Sequence, residues 1–230
     1  MWFLDPPTVA AGGSIMAEPV QYSSLFHELA HNMTLNTPSE CIYGGKIDGQ
    51  ANTIYSETLA QIFQHVTAFE VIRRSREFGI PRELALDIDR NARNSMANIT
   101  NSYNRYIVNG MPFSTWNDAA TPEDESFDTF MTVAYTFFQL TDQLKVEATI
   151  PVRRMMYLLQ HFDEQLKGLY DQQHNTPKAS AFRSTLLIAA MSYAFQTDLR
   201  ENFRVLNFPI SDPVYRLLMA RVRDATNQPQ

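Results

Sequence analysis

Apolar residues recur at helical spacing over most of the chain. Ile54, Leu59, Ile62, Phe63, Val66, Phe69 and Ile72 keep this rhythm and predict a long helix over 51–78, ended by Gly79 and Pro81. Upstream, Leu25, Phe26, Leu29 and Met33 form the stripe of a shorter helix, with Ser23 or Ser24 available as N-cap and Pro38 beyond its end. A polar, glycine-bearing connection over 36–49 separates the two. Downstream the pattern predicts a helix over 82–107 that breaks near Gly110-Met111-Pro112, then a loop over 111–125 with turn signals at Asn117-Asp118 and Thr121-Pro122. Phe127, Phe130, Met131, Ala134, Phe137 and Phe138 mark the next helix. Another runs from Pro151 to about Gln173, with Val152, Met155, Leu159, Phe162, Leu166 and Leu169 on one face. Phe182, Leu186, Ala190 and Tyr193 define one after Pro177, and a short last helix begins near Ser211-Asp212-Pro213. These stripes read as core-facing surfaces. Only the amino terminus reads as extended: Trp2 to Leu4 is apolar, Pro6 and Pro7 interrupt, and 8–16 resumes with Gly12 and Gly13, giving a strand or two beside the first helix.

A chain of 230 residues can bury a core without disulfides or metal. It reads as one domain, with strand and first helices over 1–80 and a helical subdomain over 81–230. The abrupt start at Met1-Trp2-Phe3-Leu4-Asp5 is expected of a piece of a longer protein. The single cysteine, Cys41, leaves neither an internal disulfide nor a cysteine-built structural zinc site. A net charge of −6 gives no basic footprint, and Arg73-Arg74 and Arg153-Arg154 read as solvated helix faces, so nucleic acid is not an expected partner. No apolar run approaches a membrane span and no signal-peptide pattern opens the chain. The expectation is a cytoplasmic protein, or one whose export signal lies outside these residues. Oligomeric state is not legible.

Chemistry concentrates in His27-Glu28-Leu29-Ala30-His31. On a helix, residues four apart share a face, so His27 and His31 can present two imidazoles to one zinc ion with Glu28 beside it. The competing reading is two core histidines, each satisfied by a hydrogen bond. Glu57 lies in the first turns of the second helix among apolar neighbours. A carboxylate in that setting needs a partner, and zinc is one. Glu40 and Asp48 also follow the motif, but both read as solvated loop carboxylates with turn or capping roles. A carboxylate on a helix backbone loses less conformational entropy on binding metal than one on a loop.

Together these pieces resemble the enhancin-like, mucin-degrading zinc metallopeptidases, whose motif is His-Glu-x-Gly-His followed after a variable gap by a ligand Glu. Twenty-five residues lie between His31 and Glu57, and Asn32 follows the motif as it does in the family. Glu57-Thr58-Leu59-Ala60-Gln61-Ile62-Phe63-Gln64 is similar to the family's Glu-Val-x-x-Asn-Leu-Phe-Ser, with Gln61 in place of Asn. Gly12-Gly13-Ser14-Ile15-Met16, Phe137-Phe138-Gln139-Leu140, Asp198 to Phe203 and Asn207-Phe208-Pro209 resemble further family segments, so the similarity spans nearly the whole chain. Ala30 departs from the usual Gly, and most of the family's preceding β region is missing.

The resemblance implies a mainly α fold, with a zincin-like catalytic core, a short N-terminal β element and a C-terminal helical bundle. It implies Zn2+ held by His27, His31 and Glu57, Glu28 as general base, and Asn32 and Gln61 supporting the ligands. Its substrates would be mucin-like glycoproteins and its location secreted or cell-surface. An edge strand carrying Gly13, Ser14 and Ile15 would pair with substrate backbone, an ordinary sheet edge being the alternative. Tyr135 and His65, the latter eight residues after Glu57, are candidates for stabilising the oxyanion; a core tyrosine and a surface or supporting histidine are the competing readings. Tyr55-Ser56-Glu57-Thr58-Leu59-Ala60 also resembles the Asn-Glu-x-x-Ala of aminopeptidase N relatives, although no acidic pocket for a substrate amine is recognisable. A glycan- or protein-binding module that has lost catalysis is the alternative of another class.

Overall fold

The computed structural model describes residues 3–4, 8–9, 21–35, 53–113, 123–160 and 177–226. Among them the protein is mainly helical, as the apolar periodicity predicts. Two short strands, β1 (Phe3–Leu4) and β2 (Thr8–Val9), pair antiparallel with Phe3 opposite Val9. The helices are α1 (Gln21–Leu35), α2 (Thr53–Arg73), α3 (Arg82–Val108), α4 (Glu123–Leu144), α5 (Thr149–Gln160), α6 (Pro177–Phe195), α7 (Arg200–Arg204) and α8 (Asp212–Thr226).

The architecture is organised by α2, which packs against α1, α3, α4 and α6. Leu59, Ala60, Ile62, Phe63 and Val66 are buried in the main core, and Thr58, Gln64 and His65 are buried as well. A helix enclosed on so many sides needs apolar or satisfied residues around most of its circumference. Thr58 meets the requirement by donating its hydroxyl to the Phe130 carbonyl of α4 at 3.4 Å. Helix α6 is enclosed in the same way, with every residue from Phe182 to Ser192 buried. Its hydroxyls serve the chain entering later helices: Ser192 Oγ accepts from Leu199 N–H ahead of α7, and Thr185 Oγ1 accepts from Ser211 N–H ahead of α8. Those backbone donors would otherwise lack a helical partner.

Glycine ends two elements as the sequence predicts. After α2 the chain turns on and closes at Gly79 (φ 65°), where Ile80 N–H donates to Ser75 and Gly79 N–H to Arg76. Gly110 (φ 82°) ends α3 in the same way, with Met111 N–H on Tyr106 and Gly110 N–H on Ile107. Both are paired six-to-one and five-to-two closures that need a left-handed residue.

Several boundaries differ from the sequence reading. Helix α1 starts at Gln21, so Ser23 and Ser24 lie inside its first turn and not at its cap. Tyr22 and Phe26, one turn apart with ring centroids 6.3 Å from each other, carry the helix back past the serines. Regular helix in α2 stops at Arg73 and not at Phe78. The last helix is fifteen residues long rather than short, and α7 has no counterpart in the periodic pattern because five residues cannot display one. Leu29 is 39% exposed, not part of the buried stripe, since α1 turns Ala30 and His31 inward instead. Phe162, Leu166 and Leu169, the loop over 114–122, Cys41, Glu40 and Asp48 lie outside the described residues. No helix among the described residues is long and apolar enough to cross a membrane.

Candidate metal centre

Helices α1 and α2 run antiparallel here: His31 meets Glu57, and one turn on, His27 meets Gln61. Close approach is possible because the residue between the histidines is Ala30, 2% exposed and part of the core. A larger side chain there would push α1 away from α2.

Two imidazole nitrogens and the two oxygens of one carboxylate converge. His27 Nε2 lies 3.1 Å from Glu57 Oε2 and 3.1 Å from His31 Nε2, and His31 Nε2 lies 3.3 Å from Glu57 Oε1. The imidazole rings stand edge to face at 87°, with centroids 4.7 Å apart. Among the described residues this is the group of three or more His, Cys, Asp or Glu side chains close enough to share an ion. Ligands around a tetrahedral zinc with bonds of about 2.0–2.2 Å sit roughly 3.3–3.6 Å from one another. The observed separations are close to that, and two nitrogens with one carboxylate oxygen form a donor set that zinc takes.

Without a cation the two imidazole Nε2 atoms lie within hydrogen-bond reach of each other and of the Glu57 carboxylate. Burial pushes the Glu57 carboxyl up, but hydrogen bonds from His27 and His31, aided by their positive charge, outweigh it and hold the group at about 2. Glu57 is thus ionised at neutral pH and its site demands positive charge.

Gln61 stands beside His27, its side-chain amide 3.4 Å from Nδ1. A half-turn of the amide presents Oε1 to that atom, which then accepts Nδ1–H and leaves the Nε2 lone pair directed at Glu57 and His31. Glu28 is half-buried on the same helix as the two histidines. The side chain of Asn32 lies outside the described residues, as do Gly13, Ser14 and Ile15.

The two oxyanion candidates make contacts of their own. His65 is 1% exposed, its ring against Phe138 and Phe69, with Nδ1–H donating to the Gln61 carbonyl at 2.7 Å. Burial lowers its pKa, the backbone hydrogen bond opposing and the charge of His27 adding to the effect. A neutral ring protonated at Nδ1 offers Nε2 only as an acceptor, the wrong polarity for an oxyanion, and that atom is itself buried. Tyr135 stacks on Tyr103 of α3 at 4.0 Å, and its hydroxyl accepts from Gln139, so it serves the α3–α4 contact. Helical spacing placed His65 on nearly the Glu57 face; the tight packing of α2 against α4 turned that face into core.

Compared with known proteins, the chain matches no protein-family model, no curated protein and no solved structure.

Proposed function

We propose that the protein is a zinc-dependent endopeptidase whose metal is held by His27, His31 and Glu57. The observation that carries this reading is the convergence of two imidazole Nε2 atoms, 3.1 Å apart, on the two oxygens of one carboxylate, at 3.1 Å from His27 to Oε2 and 3.3 Å from His31 to Oε1, built from two helices and a His-Glu-x-x-His segment. Zinc bound there supplies a Lewis acid that polarises a carbonyl and brings the pKa of bound water to about 7.

The remaining work falls to this chain's own side chains. Glu28, next to His27 and half-buried, takes the proton from the attacking water and returns it to the leaving amine. Gln61 holds the His27 ring by its Nδ1 edge, fixing which nitrogen faces the metal. Burial of Ala30 keeps α1 against α2 and so keeps the ligands converged. For the oxyanion, His65 Nδ1–H is already committed to the Gln61 carbonyl, and the Tyr135 hydroxyl accepts from Gln139.

On the resemblance to enhancin-like enzymes, the fold is a zincin-like core continued by a helical bundle, the substrates are mucin-type glycoproteins cut in extended segments, and the site of action is secreted or cell-surface. The test is cleavage of mucin and of unglycosylated casein by the purified protein with chelator, without chelator, and after zinc is restored. Cleavage of mucin that is lost with chelator and recovered with zinc supports the reading. Casein cleavage with mucin untouched replaces it with a general endopeptidase, and chelator-insensitive cleavage removes the metal from the mechanism.

A further inference from the structure

At the far end of α2 from Glu57, the C-terminal turns of that helix and the first turns of α3 enclose a groove of about 590 Å³. Ile72, Ile80 and Leu86 give it an apolar wall, and Leu86 is 52% exposed although it is a large hydrophobic. Arg76, Arg82 and Arg93 line the same groove, with Asp89 as its acidic member.

The arginines differ in one respect. Arg93 is held on Asp89 at 2.9 Å, and its neighbours outside the groove are likewise matched: Arg73 to Glu70, Arg74 to Glu77 and Arg90 to Asp87. The guanidinium groups of Arg76 and Arg82 have no ion pair or hydrogen bond among the described residues. The groove therefore carries two uncompensated positive charges on a chain whose net charge is −6. A guanidinium is a planar fork suited to carboxylates. Ser75 adds a hydroxyl to the lining, but Ile72, Ile80 and Leu86 offer no donor, so a bare inorganic anion would leave that wall wet, whereas a segment joining carboxylates to apolar side chains covers both surfaces. An extended peptide with acidic and apolar residues alternating presents the two kinds of side chain on opposite faces.

We propose that this groove docks an extended acidic and apolar segment of a polypeptide, and that in the enzyme this segment belongs to the substrate, well away from the bond to be cut. The docking chemistry stands by itself; only the identification of the segment as substrate rests on the peptidase reading. Ile72 follows Glu57 by fifteen residues on one helix, which is about 22 Å along the axis and about 60° around it. Helix α2 thus acts as a rigid spacer between metal centre and groove. Extended chain spans that distance in roughly seven residues.

The experiment is fluorescence anisotropy on the chelator-treated full chain, which cannot cleave by metal. Its probes are a labelled peptide alternating Glu with Leu and a matched peptide with Gln for Glu. The Glu peptide is expected to bind about tenfold tighter, and Arg76→Gln with Arg82→Gln should remove that advantage while leaving the Gln peptide and the circular dichroism spectrum unchanged. Leu86→Ser should weaken both peptides. Equal binding of the two peptides, or a double variant that binds like the parent, overturns the proposal. So does complete displacement of the Glu peptide by inorganic phosphate or by phosphatidylserine vesicles, which would make the groove an anion or membrane site. Arginine-dependent peptide binding by a protein that takes up no zinc would leave the groove standing and remove the peptidase reading. Binding that requires zinc and ignores Arg76 and Arg82 would do the reverse.

Discussion

His27 and Glu57, thirty residues apart in sequence, meet with Nε2 and Oε2 3.1 Å from each other. The contact joins two helices through groups that are costly to bury, while Ala30 of α1 and Leu59 and Ile62 of α2 belong to one apolar core. Such a pair is better explained by what it can hold than by what it stabilises.

If Glu28 is the base, replacing it with Gln removes proton transfer and keeps the ligands. Glu28→Gln should lose hydrolysis by about 10²-fold or more while binding zinc as the parent does. Turnover assays beside metal analysis of the same preparation check this. Retained turnover would remove Glu28 from the mechanism.

Gln61→Ala leaves His27 free to rotate. Loss of a ligand's supporting partner typically costs about 10–100-fold in metal affinity, and a competitive chelator titration should read a weakening in that range. Gln61→Asn, which keeps the amide one methylene shorter, should recover part of the loss. If alanine and asparagine bind zinc equally well, the 3.4 Å contact between Gln61 and His27 has no supporting role.

The helices and the meeting of His27, His31 and Glu57 were legible in the sequence for different reasons. Glu57 could be chosen over Glu40 and Asp48 because its neighbours Leu59, Ile62 and Phe63 declare a buried helix, and all three are buried. Gly79 and Gly110 announced their closures because only a residue tolerant of positive φ finishes those turns. The surroundings of His65 were not legible because helical spacing reports which face a residue shares, not what packs on that face; Phe138 of α4 lies against it. Those of Tyr135 were not because its stacking partner, Tyr103, is 32 residues away, a distance that periodicity cannot see. Arg183, wholly buried on α6, carried no sequence signal at all.

Tyr106 gives a stability test away from the metal. Its ring is wholly buried between α3 and the segment after α7, its hydroxyl donates to the Leu206 carbonyl at 2.7 Å, and burial pushes its pKa above the usual phenol range. Tyr106→Phe should destabilise the fold by about 1 kcal/mol, the cost of one hydrogen bond and an unsatisfied carbonyl. Urea denaturation with unchanged slope would show it. A variant as stable as the parent would mean that water replaces the phenol.

Acid stability has a local contributor in the cluster of Asp198, Arg200, Arg204 and Asp212. Hydrogen bonding to Arg200 is the main cause that holds Asp198 at about 2, below its ordinary 3.8, with burial opposing. A depressed carboxylate stabilises the fold above its unfolded pKa and loses that contribution as pH falls through the folded value, here from about pH 4 to about 2. Half of the Asp198 side chain is exposed, so solvent screens the pair and the effect is small. Asp198→Asn should flatten the fall of Tm across that window and change Tm little at pH 7. An unchanged acid limb would show that the cluster contributes nothing.

Zinc titration of four purified proteins tests the metal centre most directly: the parent, Glu57→Ala, Glu40→Ala and Asp48→Ala. The account predicts one zinc per chain for the parent and for both loop variants at pH 7. It predicts a loss of about 100-fold or more for Glu57→Ala at pH 7. A parent that binds no zinc, or a Glu57→Ala protein that binds it like the parent while a loop variant loses it, would contradict the site.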